Sequence, residues 1–305
     1  MINSQKIIID TDPGHDDALA ILLLVKSGLF DIKAVTTVSG NGTIQDTTNN
    51  ARYVLDLLDC DLPLYSGASK PLKRDLIKAV VHGKGGLAGA EICTQEMLTK
   101  NASVKIIEIA KANPKEISLL TIGPLTNVAR AIQQDSSLPS MLKEIVIMGG
   151  AVAVPGNKNR VAEFNIFVDL EAAEIVFNAP VKKTLVPLDL CNDIFFNIEE
   201  FEQLRGSSLY EPITSMMKPY IAGIEKYEKA KGALMYDPLA AYYLINSAAY
   251  QTTSMDIQIE TVSELTRGMT VADRTKWGQK KCNVDVATAI DQDAFAKDFF
   301  ATLKD

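Results

Sequence analysis

Lys6-Ile7-Ile8-Ile9-Asp10-Thr11-Asp12-Pro13-Gly14-His15-Asp16-Asp17 is the stretch that decides the fold. Three consecutive isoleucines ending in an acid read as a short strand buried on both faces, the pattern of a parallel sheet. Pro13-Gly14 breaks the strand. From residue 16 to residue 26 the apolar spacing turns helical, with acids in the first turn where the helix dipole favours them. Working outward, the same alternation continues. Residues 34–38 form a β-branched run closed by Gly40-Asn41-Gly42, and 45–58 read as a helix. A helix over 104–112 leads to a strand over 117–122. Pro124 sits where a first helical turn starts, and 125–133 continue it. Strands over 144–148 and 183–187 flank a helix over 170–178. Such alternation predicts an α/β chain built on a mostly parallel sheet with helices on both faces. The rhythm changes near residue 190. Residues 195–250 read as mainly helical, and strand patterns return at 255–260 and 283–290 before a last helix. No repeat or low-complexity linker appears, so residues 1–305 are expected to form one domain with a helical insertion at about 195–250.

The chain has 305 residues, a net charge of -7, two histidines and four cysteines. Its pI near 5.1 argues against a nucleic-acid binder, which needs a basic face. Two histidines cannot supply a three-His zinc site, so oxygen ligands must hold most of any metal. Cys60, Cys93, Cys191 and Cys282 form no C-x-x-C pair and fit reduced thiols in a cytosol. The amino terminus runs straight into a strand with no signal peptide, and the longest apolar run, 19–25, is too short for a membrane span. A cytoplasmic protein without membrane or nucleic-acid partners is expected.

Ligands of such sheets sit beyond the carboxyl ends of the strands, so polar residues after each strand are the candidates. Asp10, Asp12, Asp16 and Asp17 place four carboxylates within eight residues. They repel one another unless a cation or hydrogen-bond donors compensate, which favours a metal site over a solvated turn. Gly14 and Ile21 stand where an EF-hand needs other residues, so that motif is excluded. Gly40-Asn41-Gly42 by itself reads as a turn. Gly123-Pro124-Leu125-Thr126-Asn127 reads as a strand-to-helix connection, though the carbonyl of Ile122 or the helix start could serve a ligand. Glu163-Phe164-Asn165, after Asn157, suits hydroxyl recognition and equally suits an edge strand. Tyr236-Asp237-Pro238 reads as a helix N-cap. His82 lies in a glycine-rich stretch that matches no phosphate-binding pattern.

The segment Asp10-Thr11-Asp12-Pro13-Gly14-His15-Asp16-Asp17-Ala18 resembles the signature of the nucleoside hydrolases, the inosine-uridine preferring ribohydrolase family. Thr37-Val38-Ser39-Gly40-Asn41, Gly123 to Asn127, Ile147-Met148-Gly149-Gly150, Ala162-Glu163-Phe164-Asn165-Ile166, Asp237-Pro238 and Gly268-Met269-Thr270-Val271-Ala272-Asp273 are similar to further family blocks in the same order. The resemblance spans nearly the whole chain. It implies a Rossmann-like fold, one bound Ca²⁺ and hydrolysis of the N-glycosidic bond of ribonucleosides to free base and ribose. By position it makes Asp12, Asp17 and Asp237, with the carbonyl of Ile122, the calcium ligands, and Asp12 also the general base for the attacking water. It makes Asp16, Asn41, Asn157, Glu163 and Asn165 ribose ligands, with Phe164 between the last two. It puts His82 near the base on a loop able to close, and Tyr227 near the leaving group. It further implies a homodimer or homotetramer.

One position departs from the family. Many members carry His before the last calcium Asp, as the acid that protonates the leaving base; here Tyr236 stands there. A phenol, with a pKa of about 10, keeps its proton and donates hydrogen bonds but is a weaker acid than imidazolium. His82 and Tyr236 are thus both candidates for the leaving-group end. Two other functions compete. Asp10-Thr11-Asp12 also resembles the start of a haloacid dehalogenase-type phosphohydrolase, although Pro13-Gly14 and the pair Asp16-Asp17 do not suit that chemistry. A non-catalytic nucleoside-binding module that lost its acid at position 236 is the second.

Overall fold

The computed structural model describes residues 4–94, 101–275, 277 and 281–304. Its first half runs β1 (Gln5–Thr11), α1 (His15–Lys26), β2 (Phe30–Thr37), α2 (Ile44–Asp56), β3 (Leu64–Ser66), α3 (Ala102–Ala112), β4 (Ile117–Thr121), α4 (Thr126–Gln134), α5 (Leu138–Met141) and β5 (Glu144–Met148). The second half adds α6 (Phe164–Val168), α7 (Leu170–Asn178), β6 (Lys183–Val186), α8 (Leu188–Cys191), β7 (Phe195–Phe196), α9 (Tyr210–Gly223), β8 (Ala233–Leu234), α10 (Tyr236–Ile245), β9 (Tyr250–Met255), β10 (Ile257–Ile259), β11 (Thr270–Ala272), β12 (Val284–Ile290) and α11 (Gln292–Lys304).

Eight strands form one sheet in the order β3-β2-β1-β4-β5-β6-β12-β9. All neighbouring pairs are parallel except β12 with β9. The isoleucine run explains the central place of β1. Ile7, Ile8 and Ile9 are all fully buried, and they alternate between two cores. Ile7 and Ile9 join the cluster built with α1, α10 and α11, whereas Ile8 joins the cluster built with α3, α4 and α7. A strand whose side chains alternate between two apolar layers must be apolar throughout. Full burial contributes about 1.5–3 kcal/mol for each such side chain.

The helix α1 is buried from His15 to Leu24, which explains why its apolar residues surround the axis. It packs along α10 and also touches α2, α9 and α11. The chain winds outward from β1 to β3 on one side and from β4 to β6 on the other. The loops after β1 and β4 therefore diverge and open a crevice beyond their carboxyl ends.

Residues 195–250 are mainly helical, as the sequence predicts, with α9 continuing into one π-helical turn, Ile224–Glu228. Lys229, in the left-handed region, ends it. Four local readings change. The strand β2 begins at Phe30, four residues before the expected start, because its first residues are only half-buried and alternate in polarity. The short strand β3 has no counterpart in the sequence reading. Helix α4 starts at Thr126, after Pro124 rather than on it. Asp237 lies inside the first turn of α10, whose N-cap is Met235, so its carboxylate is not the cap. Among the described residues no helix is long and apolar enough to cross a membrane.

Candidate active site

The loop after β1 folds back on itself through Asp17. Its Oδ1 accepts from the Thr11 hydroxyl at 2.5 Å and from the Asp12 amide at 3.2 Å. Its Oδ2 accepts from the Gly14 amide at 2.9 Å, half of a capping box for α1, and from Asn41 Nδ2 at 3.1 Å. Asp12 Oδ2 accepts from the Asn41 amide at 2.6 Å, while Oδ1 is buried with no hydrogen-bond partner among the described residues. Two glycines make room for this carboxylate. A Cβ at Gly40 would collide with Asp12 Oδ2, and one at Gly123 would stand 2.5 Å from Oδ1. Gly40-Asn41-Gly42 is thus more than a turn: it supplies two donors and a close approach.

Helix α10 brings Asp237 from the far end of the sequence. Ligand atoms of Asp16, Asp17 and Asp237 all lie within 4.8 Å of one another. Burial, reinforced by the neighbouring carboxylates, holds Asp12, Asp16 and Asp237 far above the usual carboxylate range. Burial raises Asp17 as well, against the pull of its donors. Asp16 Oδ1 is also buried without a partner.

Asp10 does different work. Its Oδ1 accepts from Thr36 at 2.5 Å and from Asn127 Nδ2 at 2.8 Å, and burial pushes its pKa to about 7. Asn127 also donates to the Thr37 carbonyl and accepts from the Ala68 amide. The Gly123–Asn127 motif therefore braces the ends of β1 and β2 and the chain just after β3.

The segment 163–165 is a helix start, not an edge strand. Glu163 Oε1 accepts from the Asn165 amide, and Oε2 accepts from Gly150 and Ile166 amides. Burial lifts Glu163 to about 7. Asn165 Nδ2 donates to the carbonyls of Ile122 and Met148, each at 3.3 Å. Asn157 Oδ1 accepts from the Phe164 amide, which fixes the loop in front of α6.

These elements enclose a cavity of about 240 Å³. Asp16, Asn41, His82, Ile122, Asn157, Glu163, Phe164, Asn165, Tyr227, Tyr236 and Asp237 all line it. Asp12 and Asp17 are fully buried and do not line it.

The other end of the cavity is aromatic. The rings of His15, His82 and Tyr220 stack mutually, with centroids 5.0 to 5.4 Å apart. His15 Nε2 donates to the Ala88 carbonyl, and its Nδ1 lies 3.0 Å from His82 Nδ1. Burial lowers His15 to about 4, and burial beside the His15 ring holds His82 well below its ordinary value, so both rings are neutral near pH 7. A neutral His15 that donates through Nε2 offers a bare Nδ1. His82 Nδ1 accepts from the His15 backbone amide at 3.3 Å, and His82 Nε2 lies 3.9 Å from Asp16 Oδ1. The two groups are neighbours and not an ion pair.

Tyr236 donates its hydroxyl hydrogen to Glu228 Oε2 at 2.8 Å. Sequence reasoning missed Tyr220 and Glu228 because they come from α9 and its π-helical extension rather than from a strand end. A π-turn is a recurrent mark of functional sites, but it leaves no trace in residue pattern.

The family model for inosine-uridine preferring nucleoside hydrolases matches residues 7–297. The chain belongs to this family, and it is a hydrolase acting on N-glycosyl bonds of ribonucleosides. It is 37% identical over 301 residues to the pyrimidine-specific ribonucleoside hydrolase RihA of Shewanella sp. (strain ANA-3), covering 96% of this chain and 94% of the relative. Among solved structures it superimposes on a plant nucleoside hydrolase, PpNRh1, with a TM-score of 0.91 at 27% identity, covering 98% and 99% of the two chains. The purine-preferring ribonucleoside hydrolase from Gardnerella vaginalis gives the same TM-score and identity, covering 98% of each. The family match removes the ground for the phosphohydrolase alternative.

Proposed function

We propose that the protein hydrolyses ribonucleosides with the help of one Ca²⁺, with Asp12 taking the proton of the attacking water. The observation that carries this reading is the buried, mutually repelling carboxylate set with two unpartnered oxygens, Asp12 Oδ1 and Asp16 Oδ1. Such a set suits a hard divalent cation with oxygen ligands. Asp12, Asp17 and Asp237, with the carbonyl of Ile122, would hold the ion. A bound calcium supplies Lewis acidity to the water and charge compensation to the acids. Asp16, Asn41, Asn157, Glu163 and Asn165 then take the sugar hydroxyls, and the acids favour the positive charge that develops on the ribose as the bond to the base breaks. Reduced cysteines and family resemblance support a cytoplasmic homodimer or homotetramer.

At the leaving-group end, the Tyr236 proton is already committed to Glu228, which leaves His82 as the other candidate donor. Tyr236 thus orients Glu228 and walls the pocket. Replacing Tyr236 by Phe is expected to slow uridine and nitrophenyl riboside by a similar factor of about ten, the worth of one hydrogen bond to a charged group. A selective loss on uridine, the poorer leaving group, would instead assign proton donation to the phenol.

The reading is tested by measuring ribose release from the common ribonucleosides and their 2′-deoxy counterparts. Ribonucleosides are expected to be cleaved and the deoxy compounds to react at least about 10²-fold more slowly, because a missing hydroxyl leaves buried polar groups unpaired. Tight nucleoside binding with no sugar release would support a binding module instead.

A further inference from the structure

The base end of the cavity is built unlike the sugar end. Four carboxylates line the whole cavity, Asp16, Glu163, Glu228 and Asp237, against one ammonium, Lys158. Lys158 is drawn over the ring of Phe164 at 5.7 Å. Of the four acids, Glu228 is the one on the π-helical turn that carries Tyr227. It is half-buried, and Tyr236 satisfies only its Oε2.

The Tyr236 hydroxyl donates to Glu228, and His82 Nδ1 is engaged by the His15 amide at 3.3 Å, with the His15 ring nitrogen 3.0 Å away. The stacked rings of His82 and Tyr220, with Tyr236, offer aromatic surface of the kind that attracts cations, while the Tyr227 ring already carries the Lys226 ammonium at 4.8 Å. A pocket with a carboxylate and aromatic walls suits a leaving group that is already positive. Such a base needs no proton to depart.

We propose that Glu228, held by Tyr236, makes this pocket select N-ribosides whose base carries a fixed positive charge, such as pyridinium ribosides. The inference rests on the ribonucleoside hydrolysis proposed above and names the substrate class of that same site. In the reaction, water forms the new C1′–O bond and the C1′–N bond breaks. The bonding pair returns to the ring nitrogen, which leaves neutral, and one proton passes from the water to Asp12 and on to solvent. No oxidant or further reactant is needed. Burial raises the Glu228 carboxyl above its usual range, and the Tyr236 hydroxyl offsets part of this. A cationic ring placed against it acts in the same direction as the hydroxyl.

The test compares nicotinamide riboside, a pyridinium riboside, with uridine and cytidine, both neutral, in the wild type and in Glu228→Gln. Pyridinium ribosides are intrinsically labile, so the change in ratio is read and not the ratio itself. The kcat/KM ratio of the cation to uridine is expected to fall at least tenfold in the variant and to recover partly in Glu228→Asp. An unchanged ratio overturns the proposal while leaving nucleoside hydrolysis standing. A fall in which cytidine follows the cation also overturns it, because Glu228 would then be reading an amino group. If the wild type cleaves none of the three, nucleoside hydrolysis itself fails. A second measurement uses only wild-type protein. 1-Methylnicotinamide, a cation, is expected to inhibit uridine hydrolysis at concentrations at least tenfold below those of neutral nicotinamide, and equal potency or no inhibition by either overturns the proposal.

Discussion

Asp12→Asn is expected to lower kcat by at least about 10³-fold, within the range for loss of a general base, while substrate binding changes little. The asparagine keeps the shape of the side chain and one oxygen. That oxygen can still accept the Asn41 amide, as Asp12 Oδ2 does now. What disappears is the proton-accepting Oδ1, the oxygen for which the structure provides no other partner. Stopped-flow binding of a nucleoside, alongside turnover and metal content, separates the cases. Turnover close to wild type would remove Asp12 as the base. A loss that tracks loss of metal would make it a ligand only.

Metal removal is expected to have the second large effect. Exhaustive chelation should abolish ribose release and lower the melting temperature by about 5 °C or more, the consequence of losing a ligand present at about 100 times its Kd. The pH dependence should change as well, and its sign follows from the buried acids. Asp10 and Glu163 both rise to about 7 from 3.8 and 4.5, and Asp12, Asp16 and Asp237 also rise. A carboxyl whose folded pKa exceeds its unfolded value stabilises the fold below the unfolded value, and that contribution is lost as pH rises through the folded value. The metal-free protein should therefore lose stability from about pH 4 to above 7. The loaded protein should lose less, since a cation lets its ligand acids ionise without repulsion. Melting curves with and without chelator across that window check this. Parallel curves and full activity after chelation would sink the metal assignment.

The sheet was readable wherever burial on both faces forced continuous apolar runs, as in Ile7-Ile8-Ile9 and Ile145-Val146-Ile147. It was unreadable where burial was partial or the strand very short, as at the start of β2 and in Leu64–Ser66. The acids after β1 were conspicuous because four carboxylates in one loop conflict with plain solvation. Asp237 was partly hidden, since Asp before Pro looks like a cap until the helix is seen to begin one residue earlier. Glu228 and Tyr220 could not be found by scanning strand ends. Their place in the cavity depends on how α9 packs over α1, a tertiary contact with no local pattern. Asp10 shows the opposite limit. It stands in the same signature as Asp12, yet Thr36 and Asn127 turn it into a brace, which only the partners reveal.

The docking of α10 along α1 has a consequence for how the protein is made. Asp17 and Asp237 stand about 220 residues apart in the chain, yet their ligand atoms meet within 4.8 Å. During synthesis the acidic loop emerges long before its partner, and α1 waits as an almost wholly apolar helix with nothing to cover it. Folding a parallel sheet closed by such distant contacts is slow, because loop entropy is lost before the contacts form. A chain cut short before residue 236 would have neither a complete carboxylate set nor a covered α1. For the cell, that ties completion of the carboxylate cluster to completion of the fold, and a chain that stops earlier leaves α1 without its contact with α10, the kind of exposed apolar surface that chaperones recognise.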